Sequence, residues 1–351
     1  MAGNFDNILK TIQKICLALS YILNIQLIFL ILFKSPKSFG SYRVLMIYIS
    51  VTNVIYSNSI IFVSPTIHSF ESSYAAFINI NNTLLKNREV IRILLDAWCA
   101  MFGTFMGMFA LQYIYRYFVI MNNTKMLNTF NSYKIIIWMS LPLIYMTVWG
   151  TVCYYYFAPN SEFTEYLRQN ILNVYGFQMD DVVYVGVHLY STDKYGKTII
   201  DWDAIIGVII IWAFLMSSLI IIIYFGVSCH SKIKKKSNAG SRKNTNFQMR
   251  VFTSLVVQTL VPVFLMHTPV SVIFLFAFLQ FDTTILTFLV VIAVAIFPVV
   301  NPIPIMLIIP DYRFAIFKCC RRDMNQKQIN SITVHHLTAP PSKITANEDN
   351  S

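Results

Sequence analysis

An arginine near the end of a long uncharged run is the first residue whose chemistry needs an explanation. Arg116 lies in ALQYIYRYFVI, residues 110–120, with a tyrosine on each side of it. A guanidinium at the centre of a membrane helix costs roughly 2.5 to 3.5 kcal/mol, whereas near a helix end its stem reaches the interface. Arg116 is therefore either an interfacial residue, or an inward-facing one that holds neighbouring helix ends until the helices part and a partner binds.

Two further ionisable residues lie in or beside apolar runs. Asp96 precedes Arg116 by about 20 residues, or about 30 Å of helix, so the two should lie near opposite membrane surfaces. Asp96 is either a solvated carboxylate at a helix end or a ligand contact. His267 lies between Pro262 and Pro269, two prolines that remove backbone hydrogen bonds and predict a kinked helix. It is either a core histidine with satisfied hydrogen bonds or a residue that lines a pocket.

The last apolar run is interrupted by prolines, in the stretch FPVVNPIPIMLIIPDYRFAIF. A membrane helix broken in this way persists only where neighbouring groups or water satisfy the freed carbonyl groups. Asn301, between two of the prolines, is a candidate for such a polar network.

The elements that must position these residues are membrane helices. Of the 351 residues, 56% are hydrophobic and only 12% charged, against about a quarter charged in soluble domains. Seven runs without charged residues are long enough to cross a hydrocarbon core of about 30 Å. The expected spans are about 12–33, 44–67, 93–117, 135–157, 204–228, 251–279 and 284–309. These runs predict an all-α membrane protein, a seven-transmembrane helix bundle over 1–317, followed by a cytoplasmic tail, 318–351, that we expect to be disordered.

The distribution of basic residues predicts the orientation. Most of the 27 lysines and arginines lie on the side that carries the C-terminal tail, which makes that side cytoplasmic and puts the N-terminus outside. Lys10 and Lys14 run against this trend. The net charge of +11 then matches anionic lipid of the inner leaflet rather than nucleic acid. The sequon at Asn81 falls on the outer side, where glycosylation is expected, and the one at Asn122 on the inner side.

Several chemistries find no support in the sequence. Metal-ligand spacing, a nucleophile motif and a phosphate-binding loop are all missing, so we expect neither an enzyme nor a metal site nor a cofactor. No lysine occurs between Lys243 and Lys318, so the last two helices cannot form a retinal Schiff base.

Close helix packing and a structured outer loop are also predicted. Gly103 and Gly107 have the GxxxG spacing, which serves either packing within the bundle or homodimerisation. In the long outer segment, DDVVYVGVHLYS and KTIIDW flank TDKYG and predict a small hairpin, and residues 162–174 predict a short helix. The second extracellular loop should therefore be a small helix plus a hairpin. Cys99 and Cys153 both lie in outer helix halves and either pair or remain free thiols.

Five stretches, in the right order, resemble the nematode Str-type seven-transmembrane chemoreceptors, a family of G-protein-coupled receptors. They are KSPKSFGSYRVLMIYIS, YIYRYF, TEYLRQNILNVYGFQMDDVVYVGVHLY, VVQTLVPVFLMHTPVSVIFL and FPVVNPIPIMLIIPDYRFAI, and the resemblance extends from about residue 12 to 317. It implies a chemosensory, olfactory-type receptor in the plasma membrane, with placement in the sensory-neuron cilium.

The resemblance also implies roles for individual residues at the cytoplasmic side. Tyr115, Arg116 and Tyr117 resemble the triplet that engages the G protein, with Tyr115 in the place of the usual acid. Asn301 and Pro302 resemble the switch motif of the seventh helix, where the family usually has Asp-Pro, and Asp311 lies at the expected start of a short helix on the inner face. Cys319 and Cys320, beside basic residues, suit palmitoylation, although they are also compatible with unmodified thiols.

The expected function is therefore a receptor that binds a small molecule in the outer half of the bundle and activates a heterotrimeric G protein. The candidate ligand-binding residues are Asp96, Phe102, Trp212, His267 and Phe274. The alternative is a seven-helix ligand-gated channel of inverted topology, with its N-terminus in the cytoplasm. A transporter and a purely structural membrane protein are weaker alternatives.

Overall fold

The computed structural model describes residues 2–36, 39–83, 85–192, 195–238, 242–281 and 283–318. Within these residues, seven spans are long and apolar enough to cross a membrane, which confirms the predicted bundle. They are α1 (Ala2–Lys34), α2 (Tyr42–Val63), α3 (Arg88–Met121), α5 (Ile135–Tyr155), α7 (Trp202–Asn238), α8 with α9 (Arg242–Pro262 and Thr268–Phe278), and α10 with α11 (Thr284–Val300 and Ile303–Ile308). The short helices α4 (Thr124–Thr129), α6 (Ser161–Tyr175) and α12 (310–318) lie outside the spans. The predicted tail beyond Lys318, with Cys319 and Cys320, lies outside the described residues.

α3 occupies the centre of the bundle, and its middle is buried on all sides. Its two glycines face α5. A Cβ atom on Gly103 would lie 2.7 Å from the carbonyl oxygen of Tyr145, and one on Gly107 would lie 2.7 Å from the Cα of Pro142. No side chain fits at these distances, so the two backbones approach as closely as they do because both residues are glycine. The GxxxG spacing thus serves packing within the bundle.

A three-stranded antiparallel sheet covers one end of the bundle. It consists of β1 (Thr66–Phe70), β2 (Ser73–Asn79) and β3 (Val182–His188), in the order β1-β2-β3. A separate two-stranded hairpin joins β4 (Tyr190–Thr192) to β5 (Thr198–Ile200). We call the three-stranded sheet the roof, the end of the bundle that it covers the sheet end, and the opposite end the tail end.

The roof is apolar on both faces because both faces are covered. Alternate residues of a strand point to opposite faces of a sheet. On the inner face, Ala76 and Val185 are part of the core of the bundle. On the outer face, Phe77 and Tyr184 form a second cluster with Phe163 of α6. The roof is therefore a solid layer between α6 and the helices.

α6 is the short helix that the sequence predicts, and it is amphipathic. Its buried residues, Phe163, Leu167 and Ile171, recur at every fourth position and form one face. At its start, the side-chain oxygen of Asn160 accepts a hydrogen bond from the backbone N–H of Phe163 at 2.7 Å. It ends at Gly176, whose φ of +73° suits glycine. The caps set the ends of α6, and its apolar face packs on the outer face of the roof.

The roof differs from the sequence-based expectation in two respects. The second span ends at Val63 rather than near residue 67, because Ser64 adopts a left-handed conformation with a φ of 43° and a strand follows. The run that was expected to form one arm of a hairpin is divided, since β3 pairs with β2 and only β4 pairs with β5. An apolar run can form a buried strand as well as a helix, so hydrophobicity alone did not reveal this sheet.

The prolines of the sixth span coincide with a change of helix type. Between α8 and α9, Val263–His267 forms a π-helical turn that begins directly after Pro262. Such wide turns are characteristic of interrupted helices and are frequent at functional sites. The turn positions His267 against α3.

The break in the seventh span is satisfied by a neighbouring helix, as predicted. Pro302 has no N–H group, so the carbonyl group of Pro298, four residues earlier, loses its partner within the helix. The side-chain amide of Asn24 on α1 donates to this carbonyl oxygen at 3.0 Å. The interruption between α10 and α11 therefore persists because α1 compensates for it.

Candidate functional site: a cavity beneath the sheet and an arginine at the opposite end

An apolar cavity of about 30 Å³ lies directly beneath the roof. Its floor and walls include Phe102 of α3 and Phe274 of α9, and the rings of Phe274 and Tyr74 pack with their centroids 4.8 Å apart. The other lining residues are Ala76, Trp98, Cys99, Trp149, Cys153, Phe157, Val185, Ile211 and Val270. The volume suffices for about two water molecules, so any larger occupant requires the lining side chains to move.

Four of the five candidate ligand-binding residues lie at or next to this cavity. Phe102 and Phe274 line it directly. Trp212 and His267 line a narrow gap immediately beside it, to which Phe102 and Phe274 also contribute. The candidates thus converge from α3, α7, the π-helical turn and α9.

His267 links the sixth span to α3. Its Nδ1 lies 3.0 Å from the carbonyl oxygen of Pro262, and its Nε2 lies 3.3 Å from the carbonyl oxygen of Phe102. A neutral imidazole donates from only one ring nitrogen, so it can satisfy only one of these two acceptors at a time. His267 is both buried in the core and part of the pocket wall, which combines the two alternatives open from the sequence.

Asp96 is buried rather than solvated. Its side chain is only 6% exposed, and neither carboxylate oxygen has a hydrogen-bond partner among the described residues. It lies within electrostatic range of Arg92 on α3 and of Cys153 on α5. The thiols of Cys153 and Cys99 are both free and lie close to each other. Both cysteines line the cavity, whereas Asp96 does not.

Arg116 faces the interior at the tail end. It is 2% exposed, and its Cζ lies 4.7 Å from the centroid of the Tyr42 ring, a cation–π geometry. Within the described part of the chain, its Nε and Nη2 have no hydrogen-bond partner. The ring of Tyr115 stacks on that of Tyr42 with centroids 5.8 Å apart, and its hydroxyl donates to the carbonyl oxygen of Phe39 at 3.2 Å. The guanidinium therefore lies over one aromatic ring, and Tyr115 holds that ring in place.

A carboxylate partner for Arg116 is missing from the neighbouring spans of the sequence. No aspartate or glutamate occurs between Asp96 and Glu162, or between Asp203 and Asp282. Those stretches include the tail-end halves of the third to sixth spans. The arginine is consequently held by packing and a ring quadrupole, where a receptor with an acid–Arg–Tyr triplet would use an ion pair.

Three asparagines connect the first, second and seventh spans. The amide of Asn53 donates to the side-chain oxygen of Asn24 at 2.9 Å, and the amide of Asn301 donates to the side-chain oxygen of Asn53 at 3.1 Å. All three are fully buried. Asn301 and Pro302 thus form the break in the seventh span and are tied to α1 and α2.

The sheet end contributes two more polar features. Asn81, in the predicted sequon, is exposed between the roof and α3. His188 at the end of β3 is buried against the rings of Tyr166 and Phe163, with centroids 4.1 and 5.5 Å away. Burial lowers the pKa of His188, and the carboxylates of the neighbouring loops oppose this only in part.

Comparison with known proteins identifies the family. The family model described as "Serpentine type 7TM GPCR chemoreceptor Str" matches residues 9–317. The chain belongs to this family. The Str-type receptor is 30% identical over 312 residues to "G-protein coupled receptor str-217" of Caenorhabditis elegans, covering 88% of this chain and 89% of that relative. It is 24% identical over 330 residues to "Serpentine receptor class r-10" of Caenorhabditis briggsae, covering 93% and 95% of the two chains.

The fold of the Str-type receptor is similar to that of a solved rhodopsin. Squid rhodopsin superposes with a TM-score of 0.57 at 12% sequence identity, over 91% of this chain and 85% of that one. The family and the seven-transmembrane helix bundle predicted from the sequence are confirmed, so the chain is a multi-pass receptor of the G-protein-coupled class and not an enzyme.

Some residues of the two sites were not identified from the sequence. Asn24 and Asn53 could have been predicted as members of a polar network, since an isolated amide in an apolar span needs a partner. Tyr42 carried none, because a tyrosine at the start of a span is ordinary at a membrane interface. Its role follows only from the ring lying under Arg116.

Proposed function

We propose that this Str-type receptor binds a small uncharged molecule in the cavity beneath the roof and activates a heterotrimeric G protein at the tail end. The lining of the cavity is aromatic and aliphatic, which suits a small apolar chemical cue. Phe102, Phe274, Trp212 and His267 are the proposed contacts. Asp96, near Cys153, is the proposed polar contact that a ligand reaches when the pocket expands.

The contact between His267 and the carbonyl oxygen of Phe102 supports this proposal most directly. It joins the sixth span to α3 beside the cavity, and α3 continues for about 21 Å from Phe102 to Arg116. A ligand that expands the cavity strains this contact. It activates the receptor only if it binds the active arrangement more tightly than the resting one.

At the tail end, the proposed G-protein site consists of Tyr115, Arg116 and Tyr117, with Asn301 and Pro302 as the switch in the seventh span. Arg116 is inaccessible to a partner in this arrangement, which we infer is the resting one. Activation must separate Arg116 from the Tyr42 ring and expose it. The tail end is then cytoplasmic and in contact with lipid, with the N-terminus outside, Asn81 glycosylated, and Cys319 and Cys320 palmitoylated in the sensory cilium.

The first test of this function measures signalling. Cells that express the receptor with a set of G-protein α subunits are exposed to a panel of small volatile and lipophilic compounds. We expect Arg116→Ala to abolish the response to any active compound at unchanged surface level. Lys125→Ala is the matched control, because Lys125 is basic, exposed and close to the same end of α3. A response that survives Arg116→Ala would contradict the proposed role.

The second test measures orientation. An epitope tag after Asn244 should be detected only in permeabilised cells, and Asn81→Gln should remove a glycan from the same protein. A tag exposed on intact cells would contradict the orientation and favour the inverted ligand-gated channel. Currents evoked by a compound without any G protein would distinguish that channel.

A further inference from the structure

The roof blocks access to the cavity from the aqueous side of the sheet end. β3 is buried along its whole length, and Val185 closes the cavity from above. The backbone N–H of Gly186 donates to the carbonyl oxygen of Phe157 at 3.0 Å, which ties the roof to the end of α5. Arg88 at the start of α3 donates to the carbonyl oxygen of Val182 at 2.7 Å. A molecule arriving from water would have to displace this sheet together with α6.

The membrane side of the same region is open. A cleft of about 280 Å³ lies between α7 and the sixth span. Its walls include Trp212, Leu215 and Met216 of α7, and His267, Ser271 and Leu275 of the sixth span. Met216 is 53% exposed and Leu275 is 44% exposed, and inside a span such exposed side chains face lipid. Among the described residues, α7 packs on α8 but makes little backbone contact with α9.

A narrow gap lies between this cleft and the cavity and shares wall residues with both. The narrow gap beside the cavity has a volume of about 10 Å³. It shares Phe102, Ile211 and Phe274 with the cavity, and Trp212, His267 and Ser271 with the cleft. The three spaces are therefore consecutive along one line from the lipid to the underside of the roof.

The polarity of the gap restricts what can pass. The indole N–H of Trp212 is buried and has no acceptor within the described residues. Among the described residues, no charged side chain lines the gap, so an ionic molecule would lose its hydration without compensation. An uncharged apolar molecule with a single hydrogen-bond acceptor would lose little hydration and would accept a hydrogen bond from the indole N–H.

We propose that the ligand of this receptor is a lipophilic, uncharged molecule that dissolves in the bilayer and reaches the cavity laterally, between α7 and the sixth span, through the gap at Trp212, His267 and Ser271. This inference rests on the proposed ligand cavity and adds the class of ligand and the route. The π-helical turn lies at the gap, where a local change of helix type can widen it.

Photolabelling with two matched probes tests the route without knowledge of the ligand. One probe is an uncharged aryl diazirine that partitions into bilayers, and the other is the same diazirine with a trimethylammonium group. Receptor in lipid nanodiscs is irradiated with each, and labelled residues are identified by mass spectrometry. Val185 is the reporter, because it belongs to the roof, is buried and lines the cavity. We expect the uncharged probe to label Val185 and the charged probe to leave it unlabelled.

A blocking variant identifies the path. Ser271→Phe should fill the gap and lower labelling of Val185 by the uncharged probe several-fold, while labelling of lipid-facing residues stays unchanged. Ala213→Phe is the control, because Ala213 is exposed on α7 and the same added ring faces lipid. Equal labelling of Val185 in both variants, or labelling by the charged probe, would overturn the lateral route. If Ser271→Phe fails to fold, the comparison of the two probes on the unmodified receptor still tests whether only an uncharged molecule reaches Val185.

The outcomes separate this inference from the proposed function. If Val185 is labelled as predicted but no compound activates the receptor, the lateral route is retained and the signalling role is contradicted. Activation by a compound that Ser271→Phe does not slow would retain the receptor function and contradict the lateral route.

Discussion

Replacing Tyr42 should release Arg116 and raise basal signalling. The Cζ of Arg116 lies 4.7 Å from the ring centroid of Tyr42, in a site from which water is excluded. A desolvated cation–π contact is worth about 1 to 2 kcal/mol. If the active arrangement lacks this contact, its loss in Tyr42→Leu should raise the ratio of active to resting receptor by about 5- to 30-fold.

Tyr42→Phe is a matched control that the structure itself supplies. The hydroxyl of Tyr42 is buried and, among the described residues, has no hydrogen-bond partner. Removing it leaves the ring under Arg116 and on Tyr115, and removes a polar group that folding had to desolvate at a cost. We therefore expect basal signalling of Tyr42→Phe to equal that of the unmodified receptor.

The assay is nucleotide exchange on a co-expressed G protein without added compound, divided by the surface level of the receptor. The normalisation matters because Tyr42→Leu also leaves a void beside Phe39 and Tyr115, which should lower expression. Equal basal activity of the leucine and phenylalanine variants, at comparable surface levels, would refute the aromatic restraint. The double variant Tyr42→Leu with Arg116→Ala should be silent, since the released group is the one that couples.

Three further predictions concern stability. Gly107→Ala should lower the apparent Tm of the purified receptor, because overpacking against the α5 backbone costs about 1 to 3 kcal/mol of folding free energy. Gly150→Ala should be much milder, because the added Cβ would lie 3.3 Å from a single alanine Cβ. Asn24→Ala should lower the free energy of unfolding by about 2 to 4 kcal/mol, because it leaves buried groups on α2 and α10 without their hydrogen-bond partner. Asn58→Ala, at a partly buried site, should lower it by about 1 kcal/mol in the same measurement. The pKa of His188 is lowered by burial, so the stability that it contributes is full above its unfolded pKa of about 6.5 and is lost as the pH falls below that value. His188→Phe keeps the ring packing and should reduce the loss of Tm between about pH 7.5 and pH 5.5, and an unchanged pH profile would contradict this.

The seven helices were predictable because the bilayer imposes a length and a composition that single-sequence counting detects. The compensation of the proline break was predictable for a similar reason, since a freed carbonyl group in a membrane must find a donor. Its partner was not, because Asn24 is distant in sequence from Pro298 and nothing in either stretch specifies the other.

The three-stranded sheet of the roof was not predicted, because its strands satisfy the same apolar criterion as membrane helices. The uncharged run of α2 continues as far as Ile67 in β1, and the left-handed Ser64 interrupts it together with Pro65. The pairing of β2 with β3 joins segments more than a hundred residues apart, and no local pattern encodes such a register. The cavity depends on this pairing, so its position could not be read from the sequence even though Phe102 and Phe274 were identified.

The distribution of tight and loose packing indicates which helices can move. α3 packs most extensively on α5, and the contacts of Gly103 and Gly107 leave no space between the two backbones. The sixth span, in contrast, contains a π-helical turn, borders an open cleft and contacts α3 through His267. A close-packed interface resists small displacements, whereas an interrupted helix beside a void can bend or shift into that space. The pair α3–α5 therefore provides the fixed frame that carries Arg116. A ligand that enters beside Ser271 would act on the moving element itself, so binding and opening would occur at the same helix.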